Sequence, residues 1–328
     1  MADPNSTFDE LASITISNYS DELRDNVSNN IPLYAFMDDE GAIVEEDGGI
    51  YLLENLDFGD NATFKWFNGY EELSTSPTTA FTSANFDWKE ANCNIVFNNR
   101  EVAQNSGRSK RFDLIKSKTR NAERTMRNNV GAALFYVGTE SSGKAFGGLQ
   151  YLIADDPTTG TVGGINRATA GNEFWRSQVL DESVDGITLS ASTMQDGMEL
   201  LWVRCTRGLD VPKLWTFGDT YWRFFAGSVS SNQRYIRDSS NSASQKTAKT
   251  SFPYYMFKTA KVFHDPNCGA THGYAINTDY LKLKVHKERN MSVDKPRYPT
   301  NQRATVIPID LMGNMVCGNA SLQGVMHQ

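Results

Sequence analysis

Apolar residues recur at helical spacing most clearly over 112–134. Within "RFDLIKSKTRNAERTMRNNVGAALFYV", Phe112, Ile115, Thr119, Ala122, Met126, Val130, Ala133 and Leu134 fall on one side of a 3.6-residue period, with charged residues between them. The spacing predicts a long helix over 112–137, closed by Gly138 just past the last periodic residue. The next stretch, "AFGGLQYLIADDPTTGTVGGINRATAG", carries Gly-Gly, Asp-Pro and Thr-Gly steps that no continuous helix tolerates, so a glycine-rich connector follows. Upstream, over 63–102, aromatic and polar residues alternate without a helical period. There "FKWFNGYEEL" on one side and "FDWKEA" with "NIVFNNREVA" on the other read as the two limbs of a long hairpin around a Ser-Thr-Pro tip.

The first 55 or so residues are polar and rich in Asn, Ser and Asp. Such a segment buries little surface by itself. A short helix over 7–16 is expected, and the remainder reads as an arm that must lie on something else. Beyond the connector, "STMQDGMELLWVRCTR" predicts a helix over 192–207, "KLWTF" a strand, and "DTYWRFFAGSVSSNQRYI" a helix opening at Asp219, whose carboxylate suits a first turn. A polar loop, "DSSNSASQKTAKTS", follows, and then strand-like runs dominate: "FKTAKVFHD", "GYAINTDYLKLKVHKE" and "ATVIPIDLMGNMVCGNASLQGVM". Strands alternating with helices and then a run of strands give the class α+β.

Hairpin aromatics change the picture first. Trp66, Phe67, Tyr70, Phe81, Phe86 and Trp88 are many for one hairpin. A two-stranded hairpin is marginal in water, so Trp66, Tyr70, Phe86 and Trp88 are expected to be covered by another surface, that of a neighbouring subunit.

Charge adds a second asymmetry. The chain of 328 residues has a net charge of -7 and a pI near 5.2, which argues against a general nucleic-acid binder. The acids cluster over 38–60, among them Glu45, Glu46 and Asp47, while the long helix carries Arg108, Lys110, Arg111, Lys116, Lys118, Arg120, Arg124 and Arg127 against only Asp113 and Glu123. The basic face has three readings: solvent, DNA, or the acidic stretch. Under the last, Glu45, Glu46 and Asp47 meet Arg120, Arg124 and Arg127 of the same or an adjacent copy. No basic-then-apolar leader opens the sequence and no apolar run approaches membrane-spanning length, so a soluble chain made inside the cell is expected.

Candidate chemistry is thin. "GTESSGKA" over 138–145 has Gly138, Gly143 and Lys144 in the phosphate-loop pattern, but Ala145 stands where a hydroxyl should hold magnesium. A connector after a helix is the expectation, not a nucleotide site. "FHDPNCGATH" spaces His264, Cys268 and His272 four apart, yet Pro266 and Gly269 break the helix that would align them, and a loop between strands is expected. Cys93, Cys205, Cys268 and Cys317 are scattered singly, as reduced buried thiols are. Neither a catalytic constellation nor a cofactor or metal site is predicted.

The order of elements resembles that of tailed-phage major capsid proteins with the Hong Kong 97 coat fold. The text "GGLQYLIADDPTTGTVGGINRATAGNEFWRSQ" looks like a stretch recurring in one branch of that family. The closing "AINTDYLKLKVHKERNM" and "RATVIPIDLMGNMVCGNASLQGVM", with Gly313, Asn319 and Gln323-Gly324-Val325, are similar to its last strands. The resemblance covers most of 95–328. It implies an N-terminal arm over 1–56, an extended hairpin loop over 57–105 and a peripheral domain with a spine helix over 106–144. An axial domain over 145–255, peripheral strands over 256–305 and C-terminal axial strands over 306–328 complete the implied layout.

It further implies a structural role without catalysis. Copies would assemble as hexamers and pentamers into an icosahedral shell of a virion, built in the host cytoplasm around non-specifically held double-stranded DNA. The implied partners are other copies, a portal protein and in some members a decoration protein, with no membrane. Only about 55 residues precede the hairpin, so the scaffolding protein is implied to be separate. Some members crosslink a hairpin lysine to a neighbour's asparagine; Lys65 and Lys89 are the hairpin lysines here, and no asparagine is assigned to them. The alternatives are a nucleotide- or metal-binding enzyme and another oligomeric phage structural protein.

Overall fold

The computed structural model describes residues 31–61, 63–76, 79–98, 108–232 and 253–328. The short helix expected over 7–16 and the polar loop over 238–251 lie outside the described residues. Two sheets carry the chain. The first holds β1 (Ile43–Glu46), β4 (Lys89–Asn98), β12 (Leu281–His286), β13 (Ser292–Val293) and β14 (Ala304–Cys317). Its order is β1-β12-β14-β13, and β4 pairs with β14 off that path. The second has the order β7-β15-β11-β8-β10-β9, from β7 (Gln178–Asp181), β8 (Leu214–Phe217), β9 (Tyr255–Phe257), β10 (Ala260–His264), β11 (His272–Ile276) and β15 (Gly324–His327).

The helix Pro32–Asp39 opens the described chain and belongs to the core. Proline at its first position fits, because that N–H would be unbonded anyway. The run from Pro32 to Met37 is buried throughout, with Phe36 stacked on Phe263 at 4.3 Å. Buried Asp265 accepts from the Leu33 N–H (3.2 Å) and the Asn267 N–H (2.9 Å), and so closes the start of the helix onto the 264–267 corner. Burial raises the pKa of that carboxyl, against the pull of its hydrogen bonds. β1 then pairs in parallel with β12, Ile43 opposite Leu283. Within the arm expected over 1–56, the run of apolar side chains at 32–37 removes itself from water, and the strands after it are paired within the subunit.

The long helix, Arg108–Ala133, lies against β4 and buries Thr119, Ala122, Met126 and Val130, as the period predicts. It ends four residues before Val137. Leu134 turns away, its carbonyl taking the Leu149 N–H at 2.7 Å, and the connector folds back on the helix end.

The strands of the two sheets interleave along the chain. β9, β10 and β11, which the resemblance placed with peripheral strands over 256–305, pair into the six-stranded sheet with β8 and β15. β14, placed with axial strands over 306–328, pairs with β4, β12 and β13 through Cys317; only β15 returns to the six-stranded sheet. The helices Met194–Cys205 and Asp219–Asn232 match expectation, and pack Met198, Leu201, Tyr221 and Phe225 against Trp215, Phe217 and Met326 of the sheet. Asp219 meets His264 Nε2 at 2.6 Å.

Candidate functional site: the hairpin and the faces around it

The hairpin is built from β2 (Leu52–Asp57) and β3 (Phe81–Phe86), antiparallel, with Leu52 opposite Phe86 and Asp57 opposite Phe81. It thus begins at Leu52, and its return strand ends at Phe86, whereas 57–105 was expected. β4, read as part of the returning limb, is a sheet strand because ten of its residues, Lys89 to Asn98, pair with β14. The described residues of 58–80 form no strand.

Alternation fixes the base of the hairpin. Leu52, Leu56, Ala84 and Phe86 are buried, while Leu53 and Phe81 face outward. A glycine turn between β5 (Thr161–Val162) and β6 (Ile165–Asn166) sits beneath it. Gly163 adopts φ +58, and a Cβ there would come within 2.8 Å of the Ala84 Cβ; its carbonyl accepts from the Asn85 N–H at 2.9 Å. Glycine answers both demands, the left-handed backbone and the close approach. Phe58 stacks on Phe174 at 4.7 Å.

Charge pins the base as well. Lys284 on β12 lies 2.8 Å from Glu54 Oε1 of β2 and 3.0 Å from Glu46 Oε1 of β1. Burial opposes the ammonium charge, but the two carboxylates outweigh it and hold the Lys284 pKa above the ordinary lysine value. Lys284→Met leaves two half-buried carboxylates facing each other. Breaking a buried pair costs about 3–5 kcal/mol, and less here because the groups are partly exposed. The expected result is a lower melting temperature, largely restored in the triple variant Lys284→Met, Glu46→Gln, Glu54→Gln. Equal melting temperatures for the single variant and the unaltered chain refute the link.

Beyond Phe58 the hairpin leaves the body. Thr63 closes a turn on Asn61, Lys65 pairs with Glu71 at 2.5 Å, and Phe64 sets its ring edge-on to Trp66 at 5.6 Å. Trp66 is 87% exposed and Tyr70 fully so. Ten of the seventeen exposed large apolar side chains among the described residues lie within 50–81. So dense an exposed apolar element marks a contact surface.

The structure separates the four aromatics expected at a subunit contact. Trp66 and Tyr70 stand free on the tip. Phe86 is corrected: at 3% exposure it is in the subunit's own core, because β3 turns that side inward. Trp88 is half-buried. It packs against the core, donates from Nε1 to the Gly49 carbonyl at 2.9 Å, and meets His286 edge-on. Ile50, Tyr51, Leu53 and Phe81 extend the exposed face, and sequence reasoning missed three of these. Their signal was the apolar cluster "IYLLENL" just before the expected start of the hairpin.

The acidic stretch has partners other than the long helix. Asp39 and Glu40 both reach Lys261 at 2.5 Å, Glu46 and Glu54 hold Lys284, and Asp47 lies 3.7 Å from Lys287. Glu45 sits on β1 opposite Val285. Within the same chain, Glu46 and Asp47 meet lysines rather than Arg120, Arg124 and Arg127: parallel pairing of β1 with β12 brings Lys284, and Lys287 just past the end of β12, alongside.

"GTESSGKA" is a folded connector. Glu140 accepts from the backbone N–H groups of Val137 (3.2 Å) and Gly138 (2.9 Å), so a carboxylate already holds donors a phosphate would need. Ser141, Ser142 and Gly143 all have positive φ, and Lys144 is exposed. In "FHDPNCGATH" the three side chains go separate ways: His264 to Asp219, His272 to Asp155 (3.1 Å), and the Cys268 thiol toward the His272 carbonyl. Burial pushes the Cys268 thiol up, which keeps it protonated.

No protein-family model and no curated protein matches the chain in sequence. Solved structures match it in fold. Against the capsid of cyanophage A-1(L) the TM-score is 0.60 at 13% identity, covering 90% of this chain and 92% of that one. The capsid of the Myoviridae phage XM1 gives 0.54 at 11%, covering 88% and 90%. The SrpI encapsulin of Synechococcus elongatus PCC 7942 gives 0.53 at 8%, covering 87% and 84%. The chain has the fold of phage-capsid and encapsulin shell subunits.

Proposed function

We propose that this protein is the major capsid protein of a tailed phage, which closes through hexamers and pentamers into an icosahedral shell around double-stranded DNA. The observation that carries the reading is the hairpin: a base docked by Gly163, Phe174 and Lys284, and a tip that holds Trp66 and Tyr70 in water. A tip of that kind is stable only when another surface covers it. The fold shared with the cyanophage and XM1 capsids supports the choice of surface, a second copy of the chain. The role is mechanical: apolar area buried at each contact contributes about 25 cal/mol per Å², repeated over the shell.

In this reading the five-stranded sheet with the long helix forms the peripheral domain, and the six-stranded sheet with its two helices forms the axial domain. Exposed Leu209 and Val184 give the latter an apolar surface to bury at a capsomer centre. A portal and a separate scaffolding protein complete assembly, on the strength of the sequence resemblance. Electron microscopy of the chain, expressed alone and with its genomic neighbours, tests the reading. Closed shells with resolved capsomers are expected; fibres or dispersed monomers under both conditions overturn it.

A further inference from the structure

The face of the long helix turned away from the sheet has no counterpart in the hairpin contact. Its buried side is Thr119, Ala122, Met126 and Val130. Its other side presents Arg120, Arg124 and Arg127, at spacings of four and three residues, along a shallow groove that also holds Ser117, Asn121 and the half-buried Glu123. Arg124 Nη2 donates to Asn121 Oδ1 at 3.1 Å. Among the described residues no carboxylate lies within ion-pair distance of these three guanidinium groups.

We propose that this stripe binds the phosphate backbone of duplex DNA. The first argument is local charge, a basic stripe on a chain whose net charge is -7. Three guanidiniums share a groove with one carboxylate, and the planar fork of arginine matches phosphate oxygens. The second is spacing. At 1.5 Å rise per residue the stripe spans about 10 Å, over which one DNA strand presents roughly three phosphates at 3.4 Å of axis each. The third is what the groove lacks: it contains no aromatic ring for stacking, while Ser117 and Asn121 offer phosphate-bonding groups, so the contact holds the backbone without reading sequence. An acidic segment of a second copy fits less well, because four of the acids of 38–60, Asp39, Glu40, Glu46 and Glu54, are engaged with Lys261 and Lys284 of their own subunit.

The inference rests on the shell reading for its biological setting, but binding is measurable on unassembled subunits. The experiment titrates a fluorescent 30-base-pair duplex of random sequence with the unaltered chain and with Arg120→Gln/Arg124→Gln/Arg127→Gln, from low to moderate salt. Thermal melts confirm that both are folded. Three lost phosphate contacts should flatten the slope of log K against log salt by about 2.7, at 0.9 per phosphate. An unchanged slope overturns the proposal. So does equally tight binding of polyglutamate, or a triple variant that fails to form shells yet keeps its DNA affinity, since either makes the stripe a protein contact. Subunits that never form shells but lose DNA binding in the triple variant leave this inference standing and remove the shell reading.

Discussion

Serine at positions 66 and 70 is expected to leave a folded subunit that forms no shells. Both side chains project from a part of the hairpin without regular structure, and neither belongs to the buried core, so thermal melts of Trp66→Ser/Tyr70→Ser should match those of the unaltered chain within a degree or two. At a contact the two rings are anchors of the kind that cost about 2–4 kcal/mol each when truncated. A loss of roughly 4 kcal/mol per subunit raises the concentration needed for assembly about a thousandfold. Light scattering and electron microscopy at fixed protein concentration read the outcome. A control double variant at Phe86 and Trp88 should instead lower the melting temperature, because those rings pack within the subunit. Normal shells from the first variant refute the assigned role of the tip.

The second large effect is expected at Gly148, where the connector folds onto the end of the long helix. A Cβ at this position meets the Tyr136 nitrogen at 2.5 Å, and the Ala133 oxygen and Leu134 carbonyl carbon at 2.6 Å. All three are backbone atoms at the point where the helix ends and the Leu149 N–H bonds to the Leu134 carbonyl, so none can swing aside. Gly148→Ala should cost about 3 kcal/mol or more, at the upper end of overpacking. Gly131→Ala, inside the helix, is the comparison. Its Cβ comes only within 3.1 Å of the Asn267 side chain, and alanine favours a helix by up to about 1 kcal/mol. Equal melting temperatures for the two variants sink the steric argument.

Local periodicity made much of this legible. Thr119, Ala122, Met126 and Val130 are the buried side of the long helix, and the helices after Thr193 and Gly218 lie where their patterns put them. The aromatic density of the tip could also be read, because Phe64, Trp66, Phe67 and Tyr70 alternate with polar residues without a helical period. What stayed hidden depends on partners far along the chain. Nothing near Phe86 says that its side of β3 turns inward, since that follows from Gly163 beneath it. The buried helix at 32–37 is too short to announce itself by period, and its place is fixed by Phe263 and Asp265. Of the lysines that take the acidic stretch, Lys284 is brought to Glu46 by the register of β1 on β12, and Lys261 to Asp39 and Glu40 by the packing of the 32–39 helix. Strand pairing also sets the division of β9 to β15 between the two sheets.

That distance has a temporal side. Asn314 on β14 donates to the Asp87 carbonyl beside the hairpin, 227 positions earlier in the chain, and β1 waits for β12. At 5–20 residues per second, a ribosome needs roughly 10–45 s to deliver the later partner. During that interval the hairpin has been made but has no sheet to stand on. A chain cut short before β12 and β14 cannot present the tip in its finished orientation, and so cannot compete for the places of complete subunits.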